Sequence, residues 1–252
     1  MKWFLLLFFL SPACLRADWR IIDRHDGHVA EGKLTASQFR VTDGENEAEV
    51  SLVFFTISGL TFEVVANTDG QIQGLQELIE SRGGLTGING GYFAANLDPI
   101  GLLISNGRLV HPLQKAKLLS GIFYVKNNRP WLARMREFPG TKGVQEAIQC
   151  GPFLVDGGRT VTGLNRERVA ARTFVFSCGP TLWGFGICRS VSLEDMGDIL
   201  AQTPVVPDHP ILRALNLDGG SSTTFYVKTD DQTIFSEGRP VVSNYLVLKA
   251  KN

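Results

Sequence analysis

Two short glycine segments, Asn89-Gly90-Gly91-Tyr92-Phe93 and Asn216-Leu217-Asp218-Gly219-Gly220-Ser221-Ser222, constrain this chain more than any other feature. Each sets a polar side chain directly before a Gly-Gly pair and after an apolar run, the pattern of a strand that turns sharply at its end. Glycine pairs let the backbone take positive φ and approach another group closely. Two such turns, far apart in sequence, can converge on one small-molecule site. Each can equally be a tight turn between strands and nothing more.

The layout leading to each segment is the same. Ile72, Leu75, Leu78 and Ile79 recur at helical spacing and predict a helix over residues 71–82, stopped by Gly83-Gly84. Residues 85–88 then form a short buried strand that delivers Asn89 to its end. Further on, Ser192 caps a second helix, with Asp195 at its third position and Leu193, Met196, Ile199 and Leu200 on one apolar face. Pro204 and Pro207 end it, and residues 212–217 form the strand that ends at Asp218.

Most of the remainder reads as strands, at 19–22, 50–56, 61–66, 100–105, 121–126, 147–155, 172–178, 182–188, 222–228 and 242–249. Ser58-Gly59 suggests a hairpin between its flanking strands, and Asn106-Gly107 is a strong hairpin dipeptide. The polar stretches 134–145 and 157–169 are expected as surface loops. The economical architecture is α+β: a mixed, strand-rich sheet with two main helices packed on it, in a single domain.

The chain has 25 basic and 25 acidic residues and no long run of either sign. That balance argues against a nucleic-acid footprint and gives no reason to expect an anionic membrane surface as partner. The N-terminus differs in kind. Lys2, the apolar stretch 3–10 and Ser11-Pro12-Ala13-Cys14-Leu15-Arg16-Ala17 describe a secretory signal peptide over residues 1–17, too short to span a bilayer. Cleavage after Ala17 is favoured over cleavage after Ala13. A lipoprotein anchor at Cys14 is opposed by Leu10, one place too far upstream. The expected product is a secreted or periplasmic domain over residues 18–252. Export permits disulfides, and Cys178 with Cys188 is the pairing to consider; buried free thiols are the other reading of Cys150, Cys178 and Cys188. The four histidines, His25, His28, His111 and His209, are scattered and support no metal site, and no cofactor is called for.

Three groups carry chemistry. Asp218 precedes small residues whose successive N–H groups can form a concave anion nest. Asn89 offers an amide that both donates and accepts, with Tyr92 and Phe93 able to stack on a sugar ring. Arg172 enters the apolar run 173–176, and a guanidinium there needs a carboxylate or an anionic ligand as partner. Arg166, Glu167 and Arg168 read as a solvated loop, with Glu167 a candidate second acid. No G-x-S-x-G elbow is present, so a Ser-His-Asp hydrolase has little support.

The order of these segments, together with 100–108, Gly151-Pro152-Phe153-Leu154-Val155, Arg172-Thr173 and the helix 193–200, resembles the phosphodiester glycosidase family. The resemblance covers most of the chain beyond residue 70. It implies hydrolysis of a sugar-1-phosphodiester, of the GlcNAc-1-phospho-sugar type, at the glycosidic C–O bond. It implies Asp218, Arg172 and Asn89 as catalytic residues in one cavity. Gly90, Gly91, Tyr92, Phe93, Gly151, Gly219, Gly220, Ser221 and Ser222 would bind substrate. Arg239 falls where the family carries an Arg ahead of its last strand. Ser221 stands in place of the family's third glycine and Phe176 in place of a common glycine, which bears on substrate more than fold. The implied partner is a small-molecule or glycan phosphodiester. A non-catalytic glycan- or cell-wall-binding module with the same cavity is the alternative, since function resides in the site and not in the fold.

Overall fold

The computed structural model describes residues 18–30, 32–67, 73–230, 232–236, 238 and 241–251. The expected signal peptide therefore lies outside the described residues, as do Ile72, Arg239 and the start proposed for the first helix.

The strands form three sheets, and every named pairing within them is antiparallel. The first sheet has eight strands in the order β1 (Arg20–Val29), β2 (Leu34–Thr42), β3 (Glu47–Thr56), β14 (Leu182–Val191), β13 (Ala170–Ser177), β15 (Arg213–Asn216), β11 (Phe153–Asp156) and β12 (Arg159–Thr160). The second runs β7 (Arg108–His111), β6 (Leu103–Ser105), β10 (Val144–Cys150), β8 (Gly121–Lys126) and β9 (Arg129–Arg134). The third runs β17 (Thr233–Ser236), β16 (Phe225–Lys228), β5 (Gly84–Asn89), β18 (Asn244–Ala250) and β4 (Leu60–Ala66). The strand-rich α+β character with two helices is as the sequence predicts; the division into three sheets is not.

Period-2 alternation explains how the layers stack. On β18, Leu246 and Leu248 enter a central core shared by all three sheets, while Tyr245 and Val247 face outward to helix α1 (Leu75–Arg82). On β13, Val175 enters the same central core, while Phe174 and Phe176 face outward to helix α2 (Leu193–Gln202). Each helix thus seals the outer face of one sheet. Gly83 closes α1 at φ 63°, its N–H reaching the Glu80 and Ile79 carbonyls. Ser192 accepts the Asp195 N–H at 3.1 Å to cap α2.

Three expectations are corrected, and the choice left open for the cysteines falls to free thiols. Ser58-Gly59 does form a turn, with Leu60 N–H donating to the Ile57 carbonyl at 3.1 Å, but β3 and β4 enter different sheets and no hairpin results. The single strand expected over 147–155 breaks at Gly151-Pro152, where Pro152 has no N–H to pair, so β10 and β11 belong to different sheets. The strands β2, β9, β12 and β17 add to those expected, and β12 lies within the stretch 157–169 expected as a loop. Cys178 and Cys188 are free thiols. Cys188 lies opposite Arg172, whereas Cys178 follows Ser177, which lies opposite Trp183; about six residues of ladder, roughly 20 Å, separate the two thiols.

Candidate functional site

Strand β5 ends at Asn89, whose side chain is 1% exposed. Its Nδ2 donates to the Asp218 carbonyl at 2.8 Å. Its Oδ1 accepts the Thr173 hydroxyl at 2.8 Å and the Thr224 N–H at 3.0 Å. The Asp218 N–H in turn donates to the Gly90 carbonyl at 3.0 Å. The two glycine segments are therefore joined directly, as convergence on one site requires. Asn89 reaches inward to three protein groups, which makes it the clamp between the segments.

The third sheet holds the first segment from behind. Asn244, at the start of β18, accepts the Gly90 N–H at 2.8 Å through its carbonyl and the Gly91 N–H at 2.7 Å through Oδ1. A Cβ at Gly90 would run into that amide, and one at Gly91 would lie 2.9 Å from Ile148 Cγ2. Close approach, not positive φ, is what demands glycine at both positions. Among Gly90, Gly91, Gly219 and Gly220, only Gly220 takes positive φ, at 64°.

Tyr92 follows immediately. Its hydroxyl donates to the Gly151 carbonyl at 2.6 Å, and Asn216 Nδ2 donates to the same carbonyl at 2.9 Å and to the Tyr92 hydroxyl at 3.2 Å. Burial above all, then the charges of Cys150 and Asp218, push the Tyr92 hydroxyl well above the ordinary phenol range, so it remains a neutral donor. Gly151 fits because a Cβ there would lie 2.5 Å from the Leu118 carbonyl. Phe93 turns away from this group and packs against the α1 cluster. Asn216 stands two places before Asp218 in the segment that pointed to the site. Its Oδ1 is buried and without a hydrogen-bond partner among the described residues.

Asp218 is half-buried, and its Oδ1 accepts the Gly219 N–H at 3.0 Å. That bond takes one donor out of the expected nest. The N–H groups of Gly220 and Ser221 stand in the first turn of a short 3-10 helix (Gly220–Ser222), where no intrahelical acceptor reaches them. A Cβ at Gly219 would lie 2.7 Å from the Ala171 carbonyl, so the turn rests against the backbone of β13. Ser222 is buried at 5% exposure, while Ser221 is exposed.

Arg172 is brought to the same neighbourhood but is aimed elsewhere. It lies opposite Cys188 and shares the α2 side of β13 with Phe174 and Phe176. It is 7% exposed, and its Nε donates to the Val191 carbonyl at 3.2 Å while Nη2 donates to that of Arg168. Burial, then the like charge of Arg168, pull its pKa below the usual guanidinium value; the Tyr92 hydroxyl acts in the opposite sense. Among the described residues its side-chain partners are backbone carbonyls, not a carboxylate. Glu167 is exposed on the loop before β13.

Beside the Gly220–Ser222 turn opens a cleft of about 350 Å³, lined by Ala171, Arg189, Gly220, Ser221, Thr223 and Ser236 among others. Arg189, exposed on β14, donates from Nη2 to Ser236 Oγ at 2.9 Å. It has no sequence signal of its own: a charged residue near a strand end reads as a solvated group. Among the described residues no cluster of three or more His, Cys, Asp or Glu stands close enough to hold a metal ion. Among them, too, no helix is long and apolar enough to cross a membrane.

A family model described as phosphodiester glycosidase matches residues 82–248, a span that holds both glycine segments, Arg172 and Arg189. The catalytic domain of zebrafish N-acetylglucosamine-1-phosphodiester alpha-N-acetylglucosaminidase, auto-inhibited by its pro-peptide, has a similar fold. Its TM-score is 0.65 at 14% identity, covering 91% of this chain and 88% of that one. A hypothetical protein from Synechocystis aligns with TM-score 0.59 at 16% identity, covering 87% of this chain and 62% of that one. The uncharacterised protein YigE of Escherichia coli (strain K12) is 31% identical over 97 residues; the match spans 35% of this chain and 38% of YigE. This chain therefore spans well under two thirds of the length of YigE.

Proposed function

This chain belongs to the phosphodiester glycosidase family, and its membership and fold support a hydrolase-type function; from that premise we propose that it cleaves the glycosidic bond of a sugar-1-phosphodiester. The substrate class would be a GlcNAc-1-phospho-sugar diester of the cell envelope. The observation that carries the reading is the joining of the two segments at Asp218, through the Asn89 amide and the Gly90 carbonyl.

In this reading water attacks the anomeric carbon. The C1–O bond to phosphorus breaks, its electron pair stays on the phosphate oxygen, and the water proton passes to Asp218 or to solvent. Asp218 acts as base, as nucleophile ahead of water, or as stabiliser of the developing positive charge at C1. Phosphate is a good leaving group, so one carboxylate suffices. Tyr92, whose one hydroxyl proton goes to the Gly151 carbonyl, offers its ring face to the sugar. Asn89 acts through Asp218, as the group that holds it. Arg172 supplies positive charge from the α2 side, and the Gly220 and Ser221 N–H groups preorganise donors for the phosphoryl oxygens. The working location is secreted or periplasmic, from the pattern of residues 1–17.

The test is sugar release from a GlcNAc-1-phospho-mannose diester in ¹⁸O-water. Label is expected in the sugar, with Asp218→Asn folded and inactive. Label in the phosphate, saturable binding without product, or full turnover by Asp218→Asn would overturn the reading.

A further inference from the structure

The cleft beside the Gly220–Ser222 turn carries a cation that the family motifs did not single out. Arg189 projects from the end of β14, in the first sheet, to Ser236 at the end of β17, in the third. The cleft therefore lies on the seam between two sheets. Among the described residues Arg189 forms no ion pair, and its one described side-chain partner is a neutral hydroxyl. Thr223, another wall residue, is 4% exposed, and its hydroxyl is buried with no hydrogen-bond partner among the described residues. Gly238 closes the wall: a Cβ there would meet the Thr223 carbonyl at 2.5 Å and the Ser221 carbonyl at 2.9 Å. The cleft is thus built from close backbone contacts, with a guanidinium, hydroxyls and the first N–H groups of the turn on its walls.

Arg172 offers a poorer anion site. Its Nε and Nη2 are already engaged by the Val191 and Arg168 carbonyls, on the side of β13 that packs against α2. Arg189 is the exposed fork beside the turn, and a guanidinium matches two phosphoryl oxygens at once.

We propose that Arg189, with the Gly220 and Ser221 N–H groups, binds the anionic phosphodiester, so that the sugar lies on the Asp218–Tyr92 side of the turn and the aglycone on the Arg189–Ser236 side. The assignment deepens the phosphodiester reading above and rests on it for the identity of the anion. Ser236 is a positioning residue, holding the guanidinium across the seam.

Two measurements test it. Dimethyl phosphate is titrated into the folded full chain, followed by arginine Nε resonances or calorimetry. Arg189→Ala is expected to weaken binding about tenfold or more, and Arg172→Ala by less than about threefold. In turnover, Arg189→Ala is expected to raise KM for the diester by roughly 10- to 100-fold with a much smaller change in kcat. Arg189→Lys should recover part of the loss, because it restores charge without the fork. The proposal is overturned if wild type binds no dimethyl phosphate, if Arg189→Ala binds it as wild type does, or if Arg172→Ala is the variant that loses it. The two readings fail separately. Anion binding lost in Arg189→Ala with no turnover by wild type removes the hydrolase and leaves the anion site. Turnover by wild type with an unchanged KM in Arg189→Ala removes the anion site and leaves the hydrolase.

Discussion

Replacing Asn89 with alanine should separate the two glycine segments without disturbing either strand. The substitution removes three hydrogen bonds, to the Asp218 carbonyl, the Thr173 hydroxyl and the Thr224 N–H, at a position 1% exposed. Two of the groups left behind are backbone groups, each costing about 1–3 kcal/mol when buried without a partner. The Thr173 hydroxyl can rotate and adds ~1 kcal/mol. The expected loss is about 3–7 kcal/mol, against a total stability on the order of 5–15 kcal/mol. The variant should therefore fold but denature at a urea midpoint lower by roughly 1–2 M, with an unchanged slope. Its turnover should fall through kcat far more than through KM, because the Asp218 carboxylate loses its placement while the cleft remains. Asn89→Asp separates the effects: it keeps both acceptor bonds but turns an oxygen toward the Asp218 carbonyl, so it should fail at least as badly. A stability loss below ~1 kcal/mol in Asn89→Ala would refute the claim that this amide joins the segments.

Two further outcomes follow from contacts away from the chemistry. Glu146, 5% exposed on β10, accepts the Val64 N–H at 3.0 Å and the Asn106 N–H at 3.2 Å, tying the second sheet to the third. Burial, with the charge of Glu63 adding to it, raises its pKa from 4.5 to about 7. The folded state therefore holds this proton more firmly than the unfolded chain, and its stabilising effect is full below pH 4.5 and lost as pH rises through about 7. Glu146→Gln should flatten that dependence and gain up to ~3 kcal/mol above pH 7, read from denaturation midpoints between pH 4 and 8; an unchanged pH slope counts against the assignment. Gly90→Ala should cost about 2–4 kcal/mol by driving a methyl into the Asn244 amide. Most of that cost should vanish in an Asn244→Gly background, and additive losses in a double-mutant cycle would show that the collision is not the cause.

The parts of the site that sequence reveals are those whose signal is local. An apolar run ended by Asn-Gly-Gly or Asp-Gly-Gly marks β5 and β15 wherever they pack, and Ser192 with Asp195 marks the start of α2 through a contact within one turn. Sheet membership is not local. Alternation with period 2 is the same on β3 and β4 whichever sheet receives them, so the Ser58-Gly59 turn reads as a hairpin when it is a crossing. The missed strands are short, proline-bearing or polar: β17 has four residues, β9 contains Pro130, and β2 buries Ser37. Arg189 is the clearest case of a non-local meaning. Its surroundings come from β17 and the Gly220–Ser222 turn, more than thirty residues further along, and nothing in its own neighbourhood announces them. Arg172 was legible as a buried cation, but its orientation depends on a strand register that composition cannot supply.

Asn244 gives the molecule a timetable. It sits on β18, the last strand in the chain, which docks between β4 and β5 and so closes contacts spanning most of the sequence. Until that strand arrives, the Gly90 and Gly91 N–H groups have no acceptor from Asn244, and the first segment is held by its bonds to Asp218, Thr173, Thr224 and Gly151. While the chain is still being made, the first glycine segment therefore lacks the two acceptors that Asn244 supplies. The same dependence runs in reverse: peeling β18 away switches the site off while the β2–β3–β14 platform, formed without it, still stands.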